Sequence, residues 1–302
     1  MHASSNEIGQ LLLGKYRVES VLGQGGMGIV VAARHVDLGK RVAIKKLLPH
    51  AMEYPGACER FVREARSAAR LEGEHIAQVH DAGTLEDGTP FILMEYLDGQ
   101  DLKKVVRERG ALPAGEAALY VYQACEAVAE AHAQGIAHRD LKPANMMLVH
   151  RATGAPCIKV LDFGISKELD PAARQRDLTQ SGVIMCSPSY MAPEQVSHPK
   201  EVDLRSDVWA LGVVLYELVT GILPFQADSG MELLALVLQK QPQRPIELIP
   251  GLSGELEAII MKCMAKERDK RFQTAVELMR ALRPFVTTDI GQPHSRRPGV
   301  SD

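Results

Sequence analysis

Between Tyr16 and Leu47 the apolar residues fall into short β-branched groups, VESVL, GIVVAA and RVAIKKL, with glycines between them. That pattern predicts three strands joined by tight turns. Residues 57–71, ACERFVREARSAARL, are rich in Ala, Arg and Glu and predict a helix. Two more strands are expected in IAQVHDAGTL and FILMEYL, parted by the turn EDGTP. Beyond Gly99 the pattern becomes helical. Ala114 to Gln134 should form a helix with Cys125, Val128, Ala129 and His132 on one face and Gly135 as its C-cap. Short strands return at MMLV and CIKVLDFG, followed by the polar stretch KELDPAARQRDLTQSG. Helices are predicted over 207–220, 230–240, 254–265 and 273–283. Residues 1–14 read as a polar lead-in, and the polar tail TTDIGQPHSRRPGVSD is expected to be disordered. The pattern is α+β: a small β-rich first part and a larger helical one, divided near Leu97–Gly99.

Composition narrows the class without naming an activity. The 302 residues are 46% hydrophobic and 24% charged, which excludes disordered, collagen-like and disulfide-scaffold chains. Lys and Arg number 35 against 38 Asp and Glu, so there is no basic excess of the kind nucleic-acid binding calls for. Five cysteines (58, 125, 157, 186, 263) form no CxxC pair, so neither a disulfide framework nor a zinc site is implied, and a reducing, cytoplasmic setting is expected. The first residues lack a basic n-region and do not read as a signal peptide. The run from Val208 to Val219 is interrupted by Glu217 and falls short of the roughly 20 residues a bilayer requires, so a buried core helix is expected there.

The candidate chemistry begins with Gly23-Gln24-Gly25-Gly26-Met27-Gly28, followed by Val30. Glycines here would let backbone N–H groups approach phosphates closely, because no Cβ intervenes and positive φ is open to them. A dinucleotide site would need a helix next, whereas the β-type run VVAARH follows. Gly9-x4-Gly14-Lys15 reads as coincidence, because Tyr16 stands where a hydroxyl residue should contact magnesium and no strand precedes it. Lys45, in Val42-Ala43-Ile44-Lys45, lies on a strand among apolar residues, and the following helix carries Glu64. A lysine held by a carboxylate can clamp phosphate oxygens as a point charge. Arg60, Arg63, Arg66 and Arg70 on that helix read as its solvated face.

Next along the chain come His138-Arg139-Asp140-Leu141-Lys142-Pro143-Ala144-Asn145, Asp162-Phe163-Gly164 and Ala192-Pro193-Glu194. With the glycine loop and Lys45 they complete, in order, the protein-kinase signature. Over residues 15–285 the chain resembles protein kinases of the eukaryotic type. The segments LGQGGMG, HRDLKPANMML and SYMAPEQ are most similar to bacterial eukaryotic-like serine/threonine kinases. The resemblance implies a bilobal fold, with a lead-in at 1–14, an N-lobe at 15–97, a C-lobe at 98–285 and a tail at 286–302. ATP and Mg²⁺, with Mn²⁺ as an alternative, would lie between the lobes.

On this resemblance Leu22, Gly23, Gln24, Gly25, Gly26, Met27 and Gly28 would cover the nucleotide, with Val30 and Ala43 above the adenine. Lys45 would hold phosphates and pair with Glu64. Met94 would be the gatekeeper, the Glu95 carbonyl and Leu97 backbone would bond the base, and Asp101 the ribose. Asp140 would take the substrate hydroxyl's proton, with Lys142 steadying the γ-phosphate as in serine/threonine kinases. Asn145 and Asp162 would ligate metal, Asp207 would brace the catalytic loop, and Glu194 would pair with Arg271. Thr179 and Ser181 would be activating phosphosites read by Arg139. Cys186-Ser187-Pro188 departs from the family's usual Gly-Thr-Pro: Ser187 keeps the hydroxyl that would contact Asp140 and Lys142, and Cys186 replaces a glycine. Implied partners are protein substrates bearing Ser or Thr and a second copy of the chain for trans-autophosphorylation, with no nucleic acid and no membrane segment. A pseudokinase scaffold is the main alternative, and a small-molecule kinase of related fold ranks below it. Lys45, Asp140, Asn145 and Asp162, all present, argue against the scaffold.

Overall fold

The structure, a computed structural model, describes residues 7–163 and 188–286, apart from the side chain of Glu64. Gly164, the polar stretch with Thr179 and Ser181, Cys186, Ser187 and the tail from 287 onward lie outside the described residues. Among the described residues six strands form an antiparallel sheet: β1 (Leu11–Leu12), β2 (Tyr16–Gln24), β3 (Gly28–His35), β4 (Arg41–Leu47), β5 (Val79–Thr84) and β6 (Pro90–Glu95). Their order is β1-β2-β3-β4-β6-β5. Short helix α1 (Pro49–Met52) and helix α2 (Ala57–Ala68) lie between β4 and β5.

Alternation along β3 and β4 sorts the side chains of this sheet. Ile29, Val31, Ala33, Val42 and Ile44 point into one apolar cluster with Val18, Phe91 and Leu93. The register pairs Val30 with Lys45 and Ala32 with Ala43, and β6 sets Met94 opposite Ala43, so these residues share the other face. Helix α2 buries Phe61, Ala65 and Ala68. Arg63, Arg66 and Arg70 are exposed as the pattern predicts, while Arg60 is half-buried.

The lead-in does more than its polarity suggests. Leu11 and Leu12 pair with Arg17 and Tyr16 as an edge strand, Leu12 is buried, and Glu7 reaches Lys46 Nζ at 2.6 Å. Leu12 is buried in the sheet's apolar cluster beside Tyr16 with Leu13 packed against it, while Leu11 stays exposed; burying these two side chains favours the edge pairing.

The second sheet joins β7 (Gly99–Asp101), β8 (Met146–His150) and β9 (Pro156–Val160), antiparallel in that order. Around it are α3 (Leu102–Arg109), α4 (Ala114–Ala133), α5 (Pro193–Ser197), α6 (Arg205–Thr220), α7 (Gly230–Gln239), α8 (Pro245–Leu248), α9 (Gly254–Cys263) and α10 (Ala275–Leu282). The expected single apolar face of α4 is an underestimate. Residues 116–121, 123–125, 127, 128 and 131 are all buried, because the helix is enclosed by its neighbours. Gly135 takes φ 74°, one residue past the cap at Gln134. Helix α6 is buried from Ser206 to Tyr216 and stops at Gly221 in the left-handed region. Among the described residues no helix is long and apolar enough to cross a membrane.

Helices α6 and α9 approach closely at Gly212, where an added Cβ would stand 2.3 Å from Cys263 Cβ. Gly212→Ala is therefore expected to destabilise the fold by about 1–3 kcal/mol through overpacking. Gly254→Ala, at a helical position with nothing within 4 Å, should be neutral or stabilising. Thermal unfolding of the two variants side by side checks both.

Candidate active site

A buried carboxylate organises the site. Asp207, in the first turn of α6, is fully enclosed and accepts hydrogen bonds from three groups. The backbone N–H of His138 reaches Oδ2 at 2.8 Å, that of Arg139 reaches Oδ1 at 2.8 Å, and His132 Nε2 reaches Oδ2 at 2.8 Å. Arg139 sits at φ 63°, a left-handed conformation that costs a non-glycine residue about 1–2 kcal/mol. The Asp207 bond helps hold it there, and Gln195 Nε2 donates to the Arg139 carbonyl at 3.2 Å. Asp162, at φ 58°, is the second such residue in this region.

His138 ties the two strained residues together. Its Nε2 donates to the Leu161 carbonyl at 2.7 Å, while Nδ1 accepts from Asp140 N–H at 3.3 Å; these partners assign the proton to Nε2. The ring meets Phe163 edge-on at 4.9 Å, and Phe163 is buried in the core of the helical lobe. Asp140 and Asp162 are thus fixed by one scaffold.

Four polar contacts bring the predicted side chains together. Lys142 Nζ lies 2.8 Å from Asp140 Oδ2, and Asn145 Nδ2 donates to the Asp140 carbonyl at 2.9 Å. The Leu161 N–H donates to the Asn145 carbonyl at 2.9 Å, which carries Asp162 up beside this group. From the first sheet, Lys45 Nζ reaches Asp162 Oδ1 at 2.8 Å. The predicted Lys45–Glu64 pair rests on a side chain outside the described residues; the partner seen for Lys45 is Asp162. Lys45, Asp140, Lys142 and Asp162 all keep partial exposure, as groups that must reach a ligand do.

These donors suit a hard cation. Asn145 spends its amide N–H groups on the Asp140 carbonyl and, at 3.3 Å, on Asp140 Oδ2, which leaves its amide oxygen as an acceptor available to a cation. Among the described residues no group of three or more His, Cys, Asp or Glu makes a complete metal cage. Such a set fits a metal that also takes phosphate and water oxygens, as Mg²⁺ does.

The glycine loop is open where a ligand would need room. A Cβ on Gly23 or Gly25 would meet nothing within 4 Å, whereas one on Gly28 would stand 2.8 Å from the Lys46 carbonyl. No glycine of the loop takes positive φ, so their value here is close approach rather than unusual dihedrals. Leu48 N–H donates to Met27 O at 2.9 Å and His50 Nε2 to Gly26 O at 2.6 Å, pinning the tip. Leu22 and Gln24 are exposed, while Val30, Met94 and Leu97 are half-buried. Asp101 caps α3 by accepting from Lys104 N–H at 2.8 Å through Oδ1. The Glu95 carboxylate is occupied by Lys159 Nζ (2.9 Å) and Gln78 N–H (2.7 Å).

Beneath the site, Arg271 donates twice to Glu194, at 2.7 and 2.8 Å, in full burial, as expected. The sequence does not signal several other contacts: His132 with Asp207, Gln195 with the Arg139 carbonyl, Lys159 with Glu95, and Tyr190 with Glu217 at 2.6 Å. Their partners are 27 to 75 residues away, and no local spacing signals them.

Residues 16–282 match the family described as protein kinase domain. The serine/threonine-protein kinase Pkn1 of Myxococcus xanthus is 41% identical over 288 residues, covering 95% of this chain and 40% of that protein. Pkn3 of the same organism, also called a serine/threonine-protein kinase, is 39% identical over 86% of this chain and 48% of its own length. The chain thus spans under half of these relatives. The crystal structure of the Mycobacterium tuberculosis PknI kinase domain superposes with a TM-score of 0.71 at 30% identity, covering 92% of this chain and 98% of that one.

Removing one partner of the buried ion pair leaves the other charge uncompensated. Arg271→Met should cost about 3–5 kcal/mol, and adding Glu194→Leu should recover part of it, read by denaturant unfolding. Burial pushes the Glu217 carboxyl above its ordinary value of 4.5, opposed by the Tyr190 hydroxyl and Lys103. A raised carboxyl pKa means that stability present below the unfolded value is lost as pH rises through the folded one. Glu217→Gln should therefore gain stability relative to the parent as pH increases from about 4.5, in unfolding curves taken across pH.

Proposed function

This chain belongs to the protein kinase family, and from that premise we propose that it transfers the γ-phosphoryl group of ATP to serine and threonine hydroxyls of proteins. One observation carries the reading: Lys45 and Asp162 from opposite lobes meet at 2.8 Å beside the Asp140–Lys142–Asn145 group. In phosphoryl transfer the developing charge spreads over equatorial oxygens, so positioning and neutralisation do most of the work.

Asp140 receives the proton of the attacking hydroxyl and orients its oxygen in line. Lys142, 2.8 Å from Asp140, steadies the charge on the transferred group. Lys45 holds phosphate oxygens, with Glu64 as its partner on that side. Asp162 and Asn145 hold the metal, taken to be Mg²⁺ with Mn²⁺ as an alternative; bound there, it neutralises phosphate charge and polarises the oxygens. Leu22 to Gly28 cover the phosphates, Val30 and Ala43 roof the adenine, and Met94 limits its depth. Backbone groups of Glu95 and Leu97 bond the base, and the Asp101 oxygen not used for capping serves the ribose.

Phosphorylation of Thr179 or Ser181 activates the enzyme through Arg139, whose guanidinium has no carboxylate partner among the described residues. A second copy of the chain serves as the first substrate, and the cytoplasm, where ATP is made available, is the compartment. The kinase unit comprises an N-lobe to residue 97 and a C-lobe over 98–285, and the N-lobe takes in Glu7 and the Leu11–Leu12 edge strand of the lead-in. Lys45, Asp140, Asn145 and Asp162 together speak against a scaffold that binds without reacting.

Incubation with Mg·ATP should label the wild type on Thr179, Ser181 or both, located by mass spectrometry. Asp140→Asn should lower the rate by about 10²–10⁴. Equal labelling of both proteins would remove Asp140 from the mechanism. A wild type inert with Mg²⁺ and Mn²⁺, toward itself and a Ser/Thr-rich protein, would favour the scaffold.

A further inference from the structure

Lys159 stands outside every role assigned so far. It lies on β9, three residues before Asp162, and its amine joins three segments that the chain keeps far apart. Lys159 Nζ is 2.9 Å from Glu95 Oε1, at the end of β6, and 3.2 Å from the Ile76 carbonyl, between α2 and β5. Glu95 and Gln78 bond reciprocally: Gln78 N–H donates to Glu95 Oε1 at 2.7 Å, and Glu95 N–H to the Gln78 carbonyl at 2.9 Å. The side chains of Lys159 and Glu95 keep only 15% and 23% exposure. Nearby Glu74 is taken by Arg151 at 2.6 Å, so it does not compete for the amine.

This geometry differs from a surface ion pair. Leu71 and Ile76 belong to the core of the helical lobe, and Val160 N–H donates to the His75 carbonyl, so the segment before β5 is already part of that lobe. Glu95 closes β6 and is followed by the strand-free crossing of residues 96–98 to β7. Lys159 therefore anchors the residue from which the crossing departs to the larger lobe by a charge-assisted bond shielded from solvent.

We propose that Lys159 is a positioning residue for nucleotide binding. By fixing the Glu95 carboxylate it sets the attitude of the backbone from Glu95 to Leu97 and thereby the affinity for adenine. It leaves the chemistry at Asp140 unchanged. This inference rests on the kinase reading, because that reading makes the 95–97 backbone the adenine contact.

The test compares wild type, Lys159→Met, which keeps the aliphatic stem, and Lys159→Arg, which keeps the charge. Binding of a fluorescent ADP analogue with Mg²⁺ should weaken about three- to tenfold in Lys159→Met and largely recover in Lys159→Arg. KM for ATP should rise in parallel, with kcat held within about twofold. Without nucleotide, amide exchange in Lys159→Met should quicken at 76–79 and 94–98 and nowhere else. Unchanged affinity, an equal loss in kcat, or uniformly faster exchange would overturn the role. A wild type that binds the analogue but transfers no phosphate sinks the kinase activity while leaving Lys159 to be judged by affinity and exchange.

Discussion

The buried carboxylate of Asp207 is the constraint on which the rest of this molecule depends. A fully enclosed anion is tolerated only with enough donors, and here they come from His132 and from the backbone of His138 and Arg139. Satisfying Asp207 forces Arg139 into a strained backbone conformation and sets the direction in which Asp140 leaves the loop. Helix α6 can present Asp207 because it is apolar on all sides and buried along most of its length. The apolar core and the polar site are one construction: packing immobilises the acid, and the acid immobilises the loop.

Charge is handled locally. The net charge of −3 says nothing about a site in which Lys45 meets Asp162 and Lys142 meets Asp140. Each acid keeps a cation within hydrogen-bond reach, so the site is nearly neutral before any ligand arrives. On the proposed kinase reading, a phosphate chain with its metal would replace those pairs, exchanging one charge-assisted contact for another. That exchange needs both lobes, since Lys45 comes from the first sheet and the remaining groups from the second lobe.

Much of the fold follows from short-range pattern. The strands from Tyr16 to Leu47, the helix from Ala57 and helices α4, α6, α7, α9 and α10 form within a few residues of where periodicity puts them, whereas strand β7 and helices α3, α5 and α8 are not marked by it. The lead-in differs from its polar pattern, because the worth of Leu12 depends on a sheet face that residues 1–14 do not themselves contain. Helix α4 is buried on more than the face that periodicity marks for the same reason: alanines suit any neighbour, and only the surrounding elements decide how many sides are covered.

For the proposed site, the residue types and their order are what point to Lys45, Asp140, Lys142, Asn145 and Asp162, because phosphate and metal chemistry calls for those groups in runs whose local spacing is characteristic. Asp101 and Glu95 show the limit. Spacing alone suggests ligand roles for the Asp101 carboxylate and the Glu95 carbonyl, and it does not reveal that the fold employs the Asp101 carboxylate as a helix cap and ties the Glu95 carboxylate to Lys159 and Gln78. His132, Gln195 and Lys159 are invisible in one dimension, since each acts on a residue from a distant element. Sequence by itself determined which groups are available and the local elements that carry them, because those depend on neighbours a few bonds away. Only the tertiary structure decided which acid is braced, which is capped and which is anchored, because such partnerships are formed by packing and not by spacing along the chain.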